Sequence, residues 1–133
     1  MLDASVAVGW AFEDESGTYA DAVLEALSDG GAVVPGLWGY EVVNALTEGE
    51  RRKRILAADT ERFLSLLKAL PIEFEDSQPG GLTGLARLAR EQELSAYDAA
   101  YLAVAIRRGL PLATQDRALK EAAYRSGVAV FGA

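Results

Sequence analysis

Short β-branched runs, each fenced by proline or glycine, alternate with longer stretches of helical period along the whole chain. Ala32–Val34 is stopped by Pro35 and Gly36, and Ile72–Phe74 follows Pro71. Pro111–Thr114 is entered through Gly109, Val128–Phe131 through Gly127, and Met1-Leu2 reads as the stump of a further strand ending at Asp3. Between them the period predicts helices over 4–12, 18–27, 38–48, 57–70, 81–91, 96–108 and 117–126, with Gly109 and Gly127 where C′ glycines belong. This alternation predicts an α/β fold with a mostly parallel sheet. In such sheets ligands sit at the C-terminal edge of the strands, so residues just after strands and at the following helix starts are where chemistry is expected.

A chain of 133 residues, half apolar and a quarter charged, is one domain's worth of sequence (1–133) with enough apolar residues for a real core. Cysteine and histidine are both absent, which excludes disulfides, thiolate or imidazole metal ligands and any catalytic triad built on histidine. Chemistry here must run on carboxylates, hydroxyls, amides, Lys or Arg. No leader and no apolar run of spanning length is visible, so a cytoplasmic protein with no membrane partner is expected. The net charge of −7 argues against a protein held to nucleic acid by bulk positive charge, but not against a nuclease whose acids are balanced by metal. One basic block stands out: Arg51, Arg52, Lys53 and Arg54 are candidates for contacts to an RNA backbone, or else a solvated helix end.

Four acids stand in unusual company. Asp98 is the only charge between Ala96 and Ile106, and Glu41 lies in the apolar helix that begins around Leu37. Asn44, three residues after Glu41, shares its face. Asp3 and Asp116 each end an extended run and open a helix. Each acid has an ordinary structural explanation: Asp98 as the N3 acid of a capping box with Ser95, Glu41 as a first-turn acid bonded to Asn44, Asp3 and Asp116 as N-caps. Ser5 likewise reads as a helix-start residue and Thr114 as a strand-end hydroxyl. Taken together, an α/β sheet would bring all four acids to one edge. Converging carboxylates need a counter-charge, which is either Arg or Lys from the 51–54 block or a divalent cation. With only hard oxygen ligands to offer, the cation would be Mg²⁺ or Mn²⁺, an ion suited to phosphoryl chemistry.

The segments Leu2–Val8, Glu41–Leu46, Leu94–Ala103 and Pro111–Asp116, in this order and at these separations, resemble a PIN domain, with VapC-type toxin ribonucleases of toxin–antitoxin pairs as the nearest likeness. The resemblance implies a three-layer α/β/α fold with a central parallel sheet and about seven helices. It implies that Asp3, Glu41, Asp98 and Asp116 hold Mg²⁺ or Mn²⁺, that Thr114 supports the first aspartate, and that Asn44 matches a polar position one turn after the glutamate. It further implies an RNA substrate, a homodimer, and silencing by a small VapB-like antitoxin. The expected activity is a metal-dependent endoribonuclease that cleaves phosphodiester bonds with activated water. The alternative is a PIN-like or receiver-like acidic binding module without turnover. One departure is visible: only two residues precede Asp3, so a stunted first strand would leave that aspartate poorly anchored.

Overall fold

The computed structural model describes residues 1–12, 17–78 and 80–132. Seven helices and two strands are found there: α1 (Ala4–Gly9), α2 (Thr18–Gly30), β1 (Ala32–Pro35), α3 (Leu37–Arg51), α4 (Ala57–Lys68), β2 (Ile72–Glu75), α5 (Gly81–Gln92), α6 (Ala96–Arg108) and α7 (Arg117–Arg125). The expected α/β architecture is present, with a small parallel sheet.

β1 and β2 run parallel in a register that opposes Ala32 to Ile72 and Pro35 to Glu75. The other three extended runs do not form full strands. They reduce to isolated parallel bridges, Leu2 with Ala113 and Leu112 with Val130. The reason is local. Pro111 has no N–H to give to a ladder, and Asp3 leaves the extended path after one paired residue to cap α1. Hydrogen bonds nevertheless carry the sheet across these bridges. Leu2 N donates to Val33 O at 3.3 Å, Asp3 N to Ala113 O at 3.0 Å, and Leu112 N to Ala129 O at 2.8 Å. The lateral order is therefore β2, β1, the Leu2 run, the Leu112–Ala113 run and the Val130 run.

This arrangement corrects the expectation that Asp3 is poorly anchored. Its segment lies between two neighbours rather than at an edge: Ala113 N also donates to Met1 O at 2.8 Å, and Met1, Leu2 and Asp3 are all buried. Flanking partners supply the order that strand length alone would have supplied.

Helix α6 is apolar on almost every side, and it is buried from Ala99 through Ala105. Together with Val34, Val42, Leu46, Leu112 and Leu119 it forms the centre of the core. Burial of each such aliphatic side chain contributes roughly 1.5–3 kcal/mol. α6 ends on Gly109, whose φ of 63° is the left-handed C-cap geometry expected from the sequence. α1 is shorter than expected, stopping at Gly9, and Phe12 beyond it packs beside Gly49 of α3 so closely that a Cβ there would lie 2.6 Å from the ring.

Candidate metal centre

Each of the four acids is placed by a local rule. Asp3 is the N-cap of α1: its Oδ1 accepts from Ser5 N at 3.3 Å, and its Oδ2 accepts from Ser5 Oγ at 3.0 Å. Asp116 is the N-cap of α7, with Oδ2 accepting from Leu119 N at 2.9 Å. Asp98 occupies the first turn of α6, where its N–H is held by the Oγ of the N-cap Ser95 at 3.1 Å. Glu41 lies in the second turn of α3, which leaves the C-terminal end of β1 after a single intervening glycine. The N-cap roles expected for Asp3 and Asp116 are thus real and aim those side chains, whereas only half of the capping box expected at Asp98 forms: Ser95 Oγ accepts from Asp98 N, with no return bond from Ser95 N to the Asp98 carboxylate among the described residues.

Two hydroxyls tie the acids together. Thr114, fully buried, donates from Oγ1 to Asp3 Oδ2 at 2.6 Å and accepts from Asp116 N at 3.1 Å. One threonine thereby joins two acids that are far apart in sequence. The other hydroxyl is Tyr101, which donates to Glu41 Oε1 at 2.5 Å. Sequence reading missed Tyr101 and offered Asn44 as the partner of Glu41. Asn44 instead lies on the exposed face of α3, and it is the Asn44 carbonyl that is engaged, by Thr47. The signal for Tyr101 was available: a tyrosine in the middle of a fully buried helix needs a partner for its hydroxyl.

Asp98 feels the charge of the other three carboxylates. Burial is the largest influence on Asp98, and the neighbouring charges of Asp116, Asp3 and Glu41 add to it, so that its pKa is pushed up to about 6. Glu41 is also raised, by burial first and by Asp3, against a lowering by the Tyr101 hydroxyl. The ion pairs among the described residues leave the four acids out. Arg51 and Arg52 both pair with Glu48 of their own helix, and the Arg54 guanidinium lies 4.4 Å from the centre of the Phe12 ring.

No three of these acids are drawn tightly enough, among the described residues, to form a closed cage around one ion. Hydrogen bonds occupy both Asp3 oxygens, Asp116 Oδ2 and Glu41 Oε1, which leaves Glu41 Oε2 and Asp116 Oδ1 without one among the described residues. A set of hard, mutually repelling oxygens with no soft donor fits Mg²⁺ or Mn²⁺.

A PIN domain family model matches residues 1–124. The chain belongs to the PIN domain family. PIN domains are typically metal-dependent nucleases that bind Mg²⁺ or Mn²⁺. Among solved structures, this PIN domain is similar to that of PAE2754 from Pyrobaculum aerophilum, at 29% identity and a TM-score of 0.71, over 91% of this chain and 82% of that one. No curated protein matches the sequence. Among the described residues no helix is long and apolar enough to cross a membrane.

Proposed function

We propose that this PIN domain is a metal-dependent endoribonuclease, with Asp3, Glu41, Asp98 and Asp116 as its metal-holding and catalytic acids. What supports this reading is that Thr114 joins Asp3 to the segment of Asp116 and Tyr101 joins Glu41 to the helix of Asp98, while the ion pairs of the described residues leave all four acids out. Bound there, Mg²⁺ or Mn²⁺ would offset the clustered charge, position water and stabilise negative charge developing on a phosphodiester.

The chain's own residues have separable tasks. Thr114 and Ser5 fix the rotamer of Asp3, so that its carboxylate needs little reordering when a cation arrives. Tyr101 does the same for Glu41 and leaves Oε2 available. Glu41 or Asp98 would help to take the proton from attacking water, with most of the rate coming from positioning and charge stabilisation. Products carry 5′-phosphate and 3′-hydroxyl ends.

The toxin role, a VapB-like antitoxin partner, a homodimeric state and a cytoplasmic setting extend this reading. Their support is the VapC-like order of motifs around Asp3, Glu41, Asp98 and Asp116. The deciding experiment incubates wild type and Asp98→Asn with a mixed RNA pool in Mg²⁺, Mn²⁺ or EDTA. Cleavage by wild type alone, dependent on the ion and leaving 5′-phosphates, is expected. Equal cleavage by both proteins, or 2′,3′-cyclic phosphate ends, overturns the proposal.

A further inference from the structure

The ladder between the Leu112–Ala113 run and the Val130 run stops one rung short of Thr114. Leu112 N donates to Ala129 O at 2.8 Å, and Phe131 N donates back to Leu112 O at 2.9 Å. In a parallel ladder the next rung runs from Thr114 N to the Phe131 carbonyl. No such backbone bond forms among the described residues. Gly132 accounts for the stop: its φ of 80° turns the chain out of the extended region where it would have paired with Thr114.

The hydroxyl of Tyr19 stands in that gap. It donates to Phe131 O at 3.1 Å. From the other side, the Thr114 N–H acts on the same hydroxyl as a hydrogen-bond donor: burial raises the Tyr19 pKa, the Thr114 N–H lowers it, and the charge of Asp3 raises it again. One O–H thus serves both the donor and the acceptor that a rung would have joined. The ring is held for this task. It meets the Phe131 ring edge-on at 6.2 Å between centres, and a Cβ on Gly132 would lie 3.1 Å from it. Its helix, α2, is tied to the chain before it by Trp10 Nε1, which donates to Ala20 O at 2.8 Å.

We infer that Tyr19 is a positioning residue of the acid pocket: its hydroxyl replaces the missing rung between Thr114 and Phe131, and so holds the Thr114 backbone where Oγ1 reaches Asp3. Without it the Thr114 N–H would be a buried donor in need of a partner, and the backbone would move to find one. Thr114 Oγ1 serves Asp3 and Asp116 N together, so a shift there disturbs two acids at once. This rests on the metal-dependent reading and adds to it a residue from α2, a helix that carries none of the four acids.

The test compares wild type with Tyr19→Phe, which keeps the ring against Phe131 and Gly132 and removes only the hydroxyl. Amide exchange at Thr114 in the metal-free protein is expected to quicken roughly 3- to 10-fold, with no matching change at Leu112. Mn²⁺ affinity, read from the spin-resonance signal of the free ion, is expected to fall about 3- to 10-fold, less than for loss of a group bonded directly to a ligand. In a Thr114→Val background the hydroxyl has no Oγ1 to act through, so adding Tyr19→Phe should cost no further Mn²⁺ affinity. Unchanged exchange at Thr114, quickening shared equally by Leu112, unchanged Mn²⁺ affinity, or an equal loss in the Thr114→Val background overturns the inference while leaving the metal reading intact. If the double variant does not fold, exchange and affinity in Tyr19→Phe alone decide. A wild-type protein that binds no Mn²⁺ removes the metal reading, and the role of Tyr19 with it.

Discussion

The buried hydroxyl of Tyr101 on α6 reaches across to Glu41 Oε1 on α3 at 2.5 Å, joining the helix that carries Asp98 to the helix that carries Glu41. Tyr101→Phe keeps the ring and its packing but removes this bond. A hydrogen bond to a partly solvated carboxylate is worth about 1 kcal/mol, so a loss of that order is expected in urea unfolding. Because the hydroxyl lowers the pKa of Glu41, its removal raises that pKa further. The acid limb of the activity profile should therefore move to higher pH.

Thr114 has the more demanding position, since its single Oγ1 both donates to Asp3 and accepts from Asp116 N in a fully buried place. Thr114→Val is nearly isosteric and leaves Asp116 N without its acceptor and Asp3 Oδ2 with Ser5 Oγ alone, which costs about 1–3 kcal/mol. Thr114→Ser retains the oxygen and should lose less. Thermal unfolding of the two variants side by side checks the difference.

Asp98 gives the metal-free protein a pH dependence of definite sign. Its folded pKa of about 6 lies above the ordinary 3.8, so between these values the folded state binds more protons than the unfolded one. Stability from this group is therefore highest at low pH, falls as pH rises from about 4 to about 6, and is flat above. Glu41 is raised too and acts in the same direction. Solvent screening at a partly exposed site limits the effect to on the order of 1 kcal/mol. Asp98→Asn should flatten the slope and stabilise the metal-free protein at pH 7.5, as measured by urea unfolding across pH.

Adding Mn²⁺ should reverse that neutral-pH penalty in wild type. An ion that binds only the folded state at about 100 times its dissociation constant adds roughly 2.7 kcal/mol. The expected rise in melting temperature should be lost in Asp98→Asn and should shrink below pH 6, where protons compete for the same oxygens.

Gly49 is needed for size. A Cβ at this position would meet the Phe12 ring at 2.6 Å, and Phe12 is buried. Gly49→Ala should destabilise the fold by about 1–3 kcal/mol through overpacking, despite the better helix propensity of alanine. Gly81→Ala makes a useful contrast: no atom stands within 4 Å of its added Cβ, and the strain there comes from a φ of 66°.

The helices and the first two strands were legible because each is written locally, in helical period, in caps such as Ser95 and Asp116, and in the Pro and Gly that bound β1 and β2. The runs around Leu112 and Val130 were legible as extended but not as bridges, since how far a run pairs depends on what lies beside it. The acids were legible because charges are conspicuous in apolar surroundings. Tyr101 was not, because its ring suits a core helix and only its partner sixty residues away reveals the hydroxyl's task. The anchoring of Asp3 was misread for the same reason: two residues of strand look weak until neighbours on both sides are known.

The bond from Thr114 to Asp3 spans 111 positions of sequence. A polypeptide emerging from the ribosome displays Asp3 before Thr114 and Asp116, so that carboxylate has only Ser5 for support, and no fourth acid beside it, until the run around Leu112 has been made and has slotted in next to Leu2. A copy that stops short of Thr114 and Asp116 therefore carries no assembled pocket, and whatever this pocket does to nucleic acid waits for that segment.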